Sequence, residues 1–304
     1  MTTALEPPTT AGETGQAQGA GGAPTLSVPS LKEVIARHAF RAKHALGQHF
    51  LLDLNLTAKI ASIAGNLTGR HVIEVGPGPG GLTRALLASG AASVTAIEID
   101  PRGVAAVEEL AAFYPGRLTV IGADALRLDV TTLVPAPRQI VANLPYNVGT
   151  PLLIGWLRQI AQFERLTLMF QEEVAQRIVA APGSKAYGRL SVLAQWTCET
   201  VLALRIPPEA FMPPPKVHSA VVRLLPKAQQ PDAVLFAAME RVTQHAFGQR
   251  RKMLRASVKP VGGEALLRRA GIDPTRRAET LTIAEFDSLA RLVERGPAPA
   301  NTAD

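Results

Sequence analysis

Three glycines in the segment VIEVGPGPGGLTRAL, Gly76, Gly78 and Gly81, have the spacing G-x-G-x-x-G. Glycine allows the backbone to turn tightly and to approach a bound molecule, and the following helix directs its first amides toward that molecule. Glu98 ends the next apolar run, 22 residues after Gly76, where a carboxylate binds a ribose diol. Asp124 follows the third apolar run. Because ligands of such sheets bind at the carboxyl ends of the strands, these residues predict a ligand with an adenosine-like ribose.

The glycines and one acidic residue do not distinguish a nicotinamide dinucleotide from S-adenosylmethionine. A glycine-rich turn that binds nothing is a third interpretation, but polar features at three consecutive strand ends argue against it. Pro77 and Pro79 lack the amide N–H groups that a pyrophosphate needs, whereas a sulfonium nucleoside carries no phosphate. The loop therefore favours S-adenosylmethionine as the cofactor.

A second group of residues, Asn143 to Tyr146 in QIVANLPYNVGTP, follows the fourth apolar run. Asn and Pro also form ordinary turns, and Pro145 favours an extended conformation at Leu144. On the ligand-binding edge of a sheet, however, the Asn143 side-chain oxygen and the Leu144 carbonyl can both accept hydrogen bonds from the exocyclic amine of adenine. Tyr146 offers a ring on which the base can stack, a contact worth about 1–3 kcal/mol.

These groups suit methyl transfer to the exocyclic nitrogen of adenine. The lone pair of that nitrogen is delocalised into the ring, and two acceptors on its N–H groups favour a more pyramidal nitrogen. In-line positioning supplies most of the catalysis because a sulfonium already activates the methyl group. The reaction needs no metal and no strong general base, and the six histidines show no close pairing of metal-ligand type. We therefore expect no metal site.

Short apolar runs alternate with helix-length segments from residue 71 onward, which is typical of an α/β sheet that is mostly parallel and covered on both faces. The predicted strands are 71–75, 94–99, 118–121, 139–142, 166–171, 201–206 and 219–225. The last two have no helix-length segment between them, so we expect an antiparallel final strand. The predicted fold is a Rossmann-like sheet followed by a small all-α domain.

The pattern divides the chain into four parts. Residues 1–29 are rich in Gly, Ala, Pro and Thr and are predicted to be a disordered tail, without the apolar core of a signal peptide. Order begins at Ser30, which with Glu33 forms a capping-box pattern. We predict a cofactor-binding catalytic domain over 30–227, a helical domain over 228–296 and a second disordered tail over 297–304.

The overall composition indicates a basic protein without disulfides. Thirty-two Lys and Arg against 25 Asp and Glu give a net charge of +7 and a pI near 9.9, which favours a polyanionic partner, nucleic acid before an anionic membrane, with charge that serves only solubility as the alternative. Cys198 is the only cysteine and lies in an apolar run, so we predict a core residue and a cytoplasmic location. No apolar stretch approaches the roughly 20 residues of a membrane span. We expect a monomer.

Taken together, the motifs resemble the ribosomal RNA adenine dimethyltransferase family, whose bacterial members dimethylate two adjacent adenosines near the 3′ end of small-subunit rRNA. The resemblance is carried by KHALGQHFL, VIEVGPGPGGLT, NLPY, FMPPPKVHSAVVRL, GQRRKMLRASV and RRAETLTIAEFDSLARL. It extends from about residue 35 to residue 295. It implies a class I methyltransferase fold, S-adenosylmethionine as cofactor, and small-subunit rRNA or a 30S assembly particle as partner.

The resemblance also implies roles for individual residues. The cofactor would be held by His49, Leu51, Gly76, Gly78, Glu98, Asp124 and Asn143. Tyr146, with Phe211 on the opposite side, would clamp a flipped adenine, whose extrusion costs less from an RNA loop than from a duplex. Where the family usually has Asn, this sequence has His49, so the contact made there is open. An imidazole can still donate or accept one hydrogen bond, and its titration near neutral pH would make that contact depend on pH.

Two basic segments are candidates for RNA binding. GQRRKMLR contains Arg250, Arg251, Lys252 and Arg255 without an acidic residue, and on a continuous helix Arg251 and Arg255 would share a face. Arg41 and Lys43 precede the glycine loop in a second basic segment. A solvated charged face is the alternative for both. Phosphate contacts of this kind increase salt dependence without adding base specificity.

Three other functions remain open from the sequence. A large-subunit rRNA methyltransferase of the macrolide-resistance type has similar motifs, although the C-terminal segment favours the small-subunit type. A nicotinamide-dependent oxidoreductase explains the glycines and Glu98 but not Asn143 to Tyr146. A ribosome-assembly factor without catalytic activity would not need that segment intact.

Overall fold

The computed structural model describes residues 27–40, 49–249 and 251–296. Arg41, Lys43 and Arg250, most of the predicted N-terminal tail and the tail over 297–304 lie outside the described residues. Within these ranges, no helix is both long and apolar enough to cross a membrane. The capping box at Ser30 is confirmed: its hydroxyl accepts from the Glu33 amide, and the Glu33 carboxylate accepts from the Ser30 amide.

A seven-stranded sheet forms the centre of the molecule. Its strands are β2 (His71–Val75), β3 (Ser93–Glu98), β4 (Leu118–Gly122), β5 (Arg138–Asn143), β6 (Arg165–Gln171), β7 (Cys198–Ile206) and β9 (Ser219–Pro226). They lie in the order β4-β3-β2-β5-β6-β9-β7. Strands β2 to β6 are mutually parallel, and β9 runs antiparallel to both of its neighbours. The predicted mostly parallel sheet with an antiparallel final strand is confirmed.

Helices cover both faces of the sheet, and a helical segment follows it. The helices are α1 (Leu31–Arg37), α2 (Leu54–Ile63), α3 (Gly81–Ala88), α4 (Pro101–Ala111), α5 (Gly149–Leu157), α6 (Glu172–Val179), α7 (Arg189–Thr197), α8 (Ala233–Gly248), α9 (Leu254–Ser257), α10 (Gly263–Arg269) and α11 (Ile283–Glu294). Buried side chains of the sheet, such as Ile140 and Leu168, belong to the same apolar cluster as Phe286 of α11. The C-terminal helices therefore share a core with the sheet. Cys198 is buried there, as predicted.

A small two-stranded sheet lies beside the main one. Strands β1 (Phe50–Leu51) and β8 (Phe211–Met212) pair antiparallel, with Phe50 opposite Met212 and Leu51 opposite Phe211. Two residues are too few to produce a recognisable strand periodicity, so neither of these strands was predicted. The pairing brings the segment before α2 against the segment before β9.

The basic residues near position 250 do not lie on one continuous helix. Helix α8 ends at Gly248 and α9 begins at Leu254, and Arg251 and Lys252 lie in the turn between them. The prediction that Arg251 and Arg255 share a helix face is therefore wrong. The physical reason is that Gln249 leaves the helical conformation, with φ −132° and ψ 65°, so the helix ends before the basic residues.

Candidate functional site

A cavity opens at the carboxyl ends of β2, β3 and β5 and the loop after β4. Its wall contains the glycine loop, Glu98, Asp124, the segment Asn143 to Tyr146, and residues 49–51 from β1. The ends of parallel strands meet at one edge of a sheet, which explains why residues from four separate motifs converge there. Ten of the eleven residues predicted for cofactor and target binding line this cavity: His49, Leu51, Gly76, Gly78, Glu98, Asp124, Asn143, Leu144, Pro145 and Tyr146.

The glycine loop has the backbone conformation that requires glycine. Gly76 and Gly78 have φ values of 71° and 54°, in the left-handed region. A Cβ atom at Gly78 would lie 2.9 Å from Cδ1 of Phe50. Strand β1 therefore packs directly on the loop at a position where no side chain fits.

Glu98 is held by backbone amides at the end of β3. Its Oε2 accepts from the Gly78 amide at 3.1 Å, and its Oε1 accepts from the amides of Ile99 and Asp100, both at 2.9 Å. Burial raises the pKa of Glu98, and these hydrogen bonds partly offset that effect. The carboxylate thus links the glycine loop to the end of β3, and Oε2, which accepts a single hydrogen bond here, still has a lone-pair direction for a ribose hydroxyl.

Asp124 follows β4, at the edge of the sheet where the cavity opens. Its Oδ1 accepts from the Leu126 amide at 3.0 Å, which caps a short 3₁₀ turn over Ala125–Arg127. Its side chain is 35% exposed, so its remaining acceptor positions are accessible from the cavity. These positions suit an amino group such as that of a cofactor adenine.

The charges on the cavity wall favour a cationic cofactor. Glu98 and Asp124 line it together with Glu74, whose pKa of about 8 leaves it mostly uncharged near neutral pH, and no Lys or Arg is present among the described residues of the wall. A pyrophosphate needs cations or free amides, whereas a sulfonium is attracted by carboxylates. The wall therefore fits S-adenosylmethionine better than a nicotinamide dinucleotide. Among the described residues, no group of three or more His, Cys, Asp or Glu is placed to hold a metal ion.

Glu74 is a part of the wall that sequence reasoning missed. It lies on β2 and is 1% exposed, and its Oε2 has no hydrogen-bond partner among the residues that the structure describes. Burial raises its pKa to about 8. The only signal in the sequence was an acidic residue inside an otherwise apolar strand, two residues before Gly76.

Asn143 ends β5, and its side chain contacts the segment before β1. The Nδ2 group donates to the backbone carbonyl of His49 at 3.2 Å. The Leu144 side chain is buried in the core, and its amide donates to Met169 of β6 at 3.4 Å. The Pro145 carbonyl then accepts from the amides of Val148 and Gly149 at the start of α5. The segment is thus fixed at both ends by backbone hydrogen bonds.

The Tyr146 ring is held at its hydroxyl end and along one face. Its hydroxyl is 2.9 Å from Oγ of Ser219, the first residue of β9. The His49 imidazole stacks against the ring with a centroid separation of 5.4 Å and an interplanar angle of 28°. His49 Nδ1 lies 2.8 Å from the Pro213 carbonyl and must donate to it, because a carbonyl only accepts. Burial raises the pKa of Tyr146, so the phenol stays protonated near neutral pH.

Phe211 is the one predicted target-binding residue that does not line the cavity. Its side chain is 4% exposed and packs in the core with Leu51, Ile206 and Val221. The ring that contacts Tyr146 is that of His49. The role of Phe211 in clamping a base stays a prediction.

Three residues of the predicted RNA-binding segment near position 250 are described by the structure, and they lie on the surface of the helical C-terminal part. Arg251, Lys252 and Arg255 are all exposed. The amides of Leu254 and Arg255 donate to the carbonyls of Arg276 and Pro274, which attaches this region to the segment before α11. These residues are accessible to a polyanion.

The chain resembles proteins whose activities are known. Residues 39–295 match the family model described as ribosomal RNA adenine dimethylase. A protein of Gluconobacter oxydans named ribosomal RNA small subunit methyltransferase A is 63% identical over 88% of both chains. One of the same name from Mesorhizobium japonicum is 59% identical over 88% of this chain and 98% of its own length.

Solved structures show the same architecture. A dimethyladenosine transferase from Plasmodium falciparum has a TM-score of 0.67 and 26% identity, covering 79% of this chain and 96% of its own. The 23S rRNA methyltransferase ErmE has a TM-score of 0.60 and 27% identity, covering 80% and 98%.

The sheet order, the glycine loop and the acidic cavity define a class I methyltransferase, which is the class of fold that the sequence predicted. The chain belongs to the ribosomal RNA adenine dimethylase family. Members of this family are S-adenosylmethionine-dependent enzymes, and the prediction of an rRNA adenine methyltransferase is confirmed. The nicotinamide-dependent alternative is thereby excluded.

Proposed function

We propose that this protein transfers methyl groups from S-adenosylmethionine to the exocyclic N6 of two adjacent adenosines near the 3′ end of small-subunit rRNA, giving N6,N6-dimethyladenosine. The choice of the small over the large subunit rests on the relatives named small subunit methyltransferase A, eight of which are 55–63% identical to this chain. ErmE, named for 23S rRNA, is 27% identical.

The observation that carries the proposal is the position of Asn143 and Tyr146 on the wall of the same acidic cavity as the glycine loop. When bound, S-adenosylmethionine would supply an activated methyl group. Gly76 and Gly78 would allow its close approach, Glu98 would accept from the ribose hydroxyls, and Asp124 would accept from the adenine amino group. His49 and Leu51 would close the cavity from the side of β1.

The target base would be oriented by residues of the segment Asn143 to Tyr146. Asn143 Oδ1 and the Leu144 carbonyl would accept from the two N–H groups of N6, and the base would stack on Tyr146. Both contacts favour a lone pair directed at the methyl donor, so positioning provides most of the rate. The methylated nitrogen is acidic and can release its proton to water.

The helical C-terminal part would bind the RNA outside the target base. Its exposed Arg251, Lys252 and Arg255 suit phosphate contacts, which position an RNA without specifying its sequence. Arg41, Lys43 and Arg250 belong to the same proposal on sequence grounds alone. Since the substrate is a ribosomal RNA or a 30S assembly particle, we expect the protein to act in the cytoplasm, as a monomer.

Methyl transfer to under-methylated small subunits tests the proposal. Labelled S-adenosylmethionine is incubated with the protein and such subunits, and the RNA is digested to nucleosides. We expect label in N6,N6-dimethyladenosine, with Asn143→Ala and Tyr146→Ala both strongly impaired. Label that appears in large-subunit RNA, in protein or in DNA contradicts the assignment.

A further inference from the structure

The Tyr146 ring belongs to a loop, whereas its hydroxyl contacts the sheet. Tyr146 lies between β5 and α5, outside any strand, but its hydroxyl is 2.9 Å from Oγ of Ser219. Ser219 pairs with Gln171 of β6 on one side and with Ile206 of β7 on the other, and it is fully buried. A strand with neighbours on both sides has little freedom to move, so Ser219 is a rigid anchor.

The Ser219 hydroxyl is placed to hydrogen-bond to Tyr146 and has no assigned role in the reaction itself. It does not line the cavity. A tyrosine side chain turns about two torsions, and because its hydroxyl oxygen lies on the Cβ–Cγ axis, a hydrogen bond there restricts χ1, which sets where the ring lies. The stacked His49 imidazole restricts the same ring from one face only. The position of the ring therefore depends on Ser219, and the tilt of its plane depends on His49.

We propose that Ser219 is a positioning residue for methyl transfer, which fixes the Tyr146 ring at its hydroxyl end so that the stacked adenine meets the methyl donor in line. This inference rests on the proposed base-stacking role of Tyr146. Small errors in the position of a bound substrate are costly, since a displacement of about 1 Å can lower a rate about 100-fold. Loss of one hydrogen bond permits a smaller displacement, and we expect about a tenfold effect.

The contact involves two residues, so it is tested by a double-mutant cycle. Ser219→Ala and Tyr146→Phe each remove one partner of the hydrogen bond, and Tyr146→Phe retains the ring for stacking. Single-turnover methylation of under-methylated small subunits is measured for both variants and for the double variant. We expect each single change to lower the rate about tenfold, and the double change to lower it no further, because both remove the same interaction.

Three further measurements separate positioning from a general structural effect. S-adenosylhomocysteine should bind all variants within about twofold of the wild-type affinity, and the KM for the subunits should change less than kcat. Ser191→Ala is the matched control, since Ser191 is also fully buried and its hydroxyl donates to the Arg177 carbonyl on α6, outside the cavity wall. Its methylation rate should equal that of the wild type.

The outcomes distinguish this inference from the proposed function. If Tyr146→Ala is impaired while Tyr146→Phe and Ser219→Ala methylate at the wild-type rate, base stacking stands and the role of Ser219 is refuted. Additive effects in the double variant refute it as well. If Tyr146→Ala is itself fully active, the stacking role fails and the inference fails with it. Should Ser219→Ala not fold, Tyr146→Phe alone still decides, because it removes the hydrogen bond without altering β9.

Discussion

The carboxamide of Asn143 has a single orientation that satisfies its surroundings. The backbone carbonyl of His49 lies 3.2 Å from it and can only accept a hydrogen bond, so the group that faces it must be Nδ2. The Oδ1 atom consequently faces away from His49, where it is available to accept from an amine. The hydrogen bond to the His49 carbonyl thus determines that Oδ1 of Asn143, and not Nδ2, faces the target base.

This orientation predicts the effect of an isosteric change. Asn143→Asp replaces the donor by a second oxygen, which repels the His49 carbonyl and rotates the side chain. We expect single-turnover methylation, measured at saturating S-adenosylmethionine, to fall at least tenfold. Asn66→Asp is the control, because exposed Asn66 uses only its Oδ1, as an acceptor from the Thr68 amide. Normal methylation by Asn143→Asp would contradict the assigned orientation.

Glu74 gives the stability of the protein a specific pH dependence. Burial raises its pKa from the ordinary value of 4.5 to about 8. Between these two pH values the unfolded chain has lost the Glu74 proton and the folded chain retains it, so the folded state binds more protons. The contribution of Glu74 to stability is therefore greatest below pH 4.5 and decreases as the pH rises toward 8.

The Glu74→Gln variant should lose this pH dependence, because its amide stays neutral in both states. Urea unfolding at pH 5 and pH 8 is the measurement. We expect the free energy of unfolding to fall less over this interval in Glu74→Gln than in the wild type. Glu199→Gln, at an exposed position on the edge strand β7, should retain the wild-type difference. Equal differences in all three proteins would show that Glu74 titrates as in water.

At the scale of elements, the close packing of β1 on the glycine loop leads to a separate prediction. Gly78 and Gly116 both have left-handed backbones, with φ values of 54° and 72°. A Cβ at Gly116 has nothing within 4 Å, whereas a Cβ at Gly78 would lie 2.9 Å from Phe50. The two positions share the conformational cost of alanine, about 1–2 kcal/mol, but only Gly78 adds a clash.

We expect Gly116→Ala to lose about 1–2 kcal/mol of unfolding free energy and to bind S-adenosylhomocysteine normally. Gly78→Ala should lose more stability and bind it at least tenfold more weakly, because Phe50 and the wall it forms must move. Urea unfolding and calorimetry on both variants check this. Equal affinities for the two variants would mean that β1 does not shape the cofactor cavity.

Elements with a clear hydrophobic periodicity were predictable from the sequence, whereas short or irregular elements were not. All seven strands of the main sheet were predicted, although β7 begins at Cys198, three residues earlier than expected. Strands β1 and β8 have two residues each and are defined by their pairing, which local sequence does not encode. The end of α8 before the basic residues depends on one backbone conformation, at Gln249, in a segment that helical spacing alone would continue.

At the scale of the whole molecule, the site likewise has a part that the sequence predicts and a part that it does not. The ends of parallel strands meet at one edge, so the convergence of Gly76, Glu98, Asp124 and Asn143 followed from their positions along the chain. The contacts between His49 and Pro213 and between Tyr146 and Ser219 join residues 164 and 73 positions apart. Such pairs require the tertiary structure, which is why the sequence did not predict that the His49 imidazole stacks against Tyr146.

The charge of the whole molecule is also unevenly distributed, which leads to a prediction about RNA binding. Residues 241–263 contain no Asp or Glu, and Arg251 and Lys252 are exposed in the turn between α8 and α9. Each phosphate contact releases counterions, so the logarithm of the affinity falls with the logarithm of the salt concentration by about 0.9 per contact on a duplex. Removing both side chains should therefore weaken binding most at low salt.

We expect the variant with Arg251→Ala and Lys252→Ala to bind under-methylated small subunits more weakly and to reduce the salt slope by up to about 2. Filter binding from 50 to 300 mM salt measures both quantities. Arg268→Ala is the control, since Arg268 on α10 is also exposed but its guanidinium is already paired with Glu264, which competes with a phosphate for it. Its slope should stay at the wild-type value. When a phosphate contact is lost, the RNA keeps the counterions of that phosphate and the salt slope decreases. An unchanged slope in the double variant would therefore show that the RNA approaches another face of the protein.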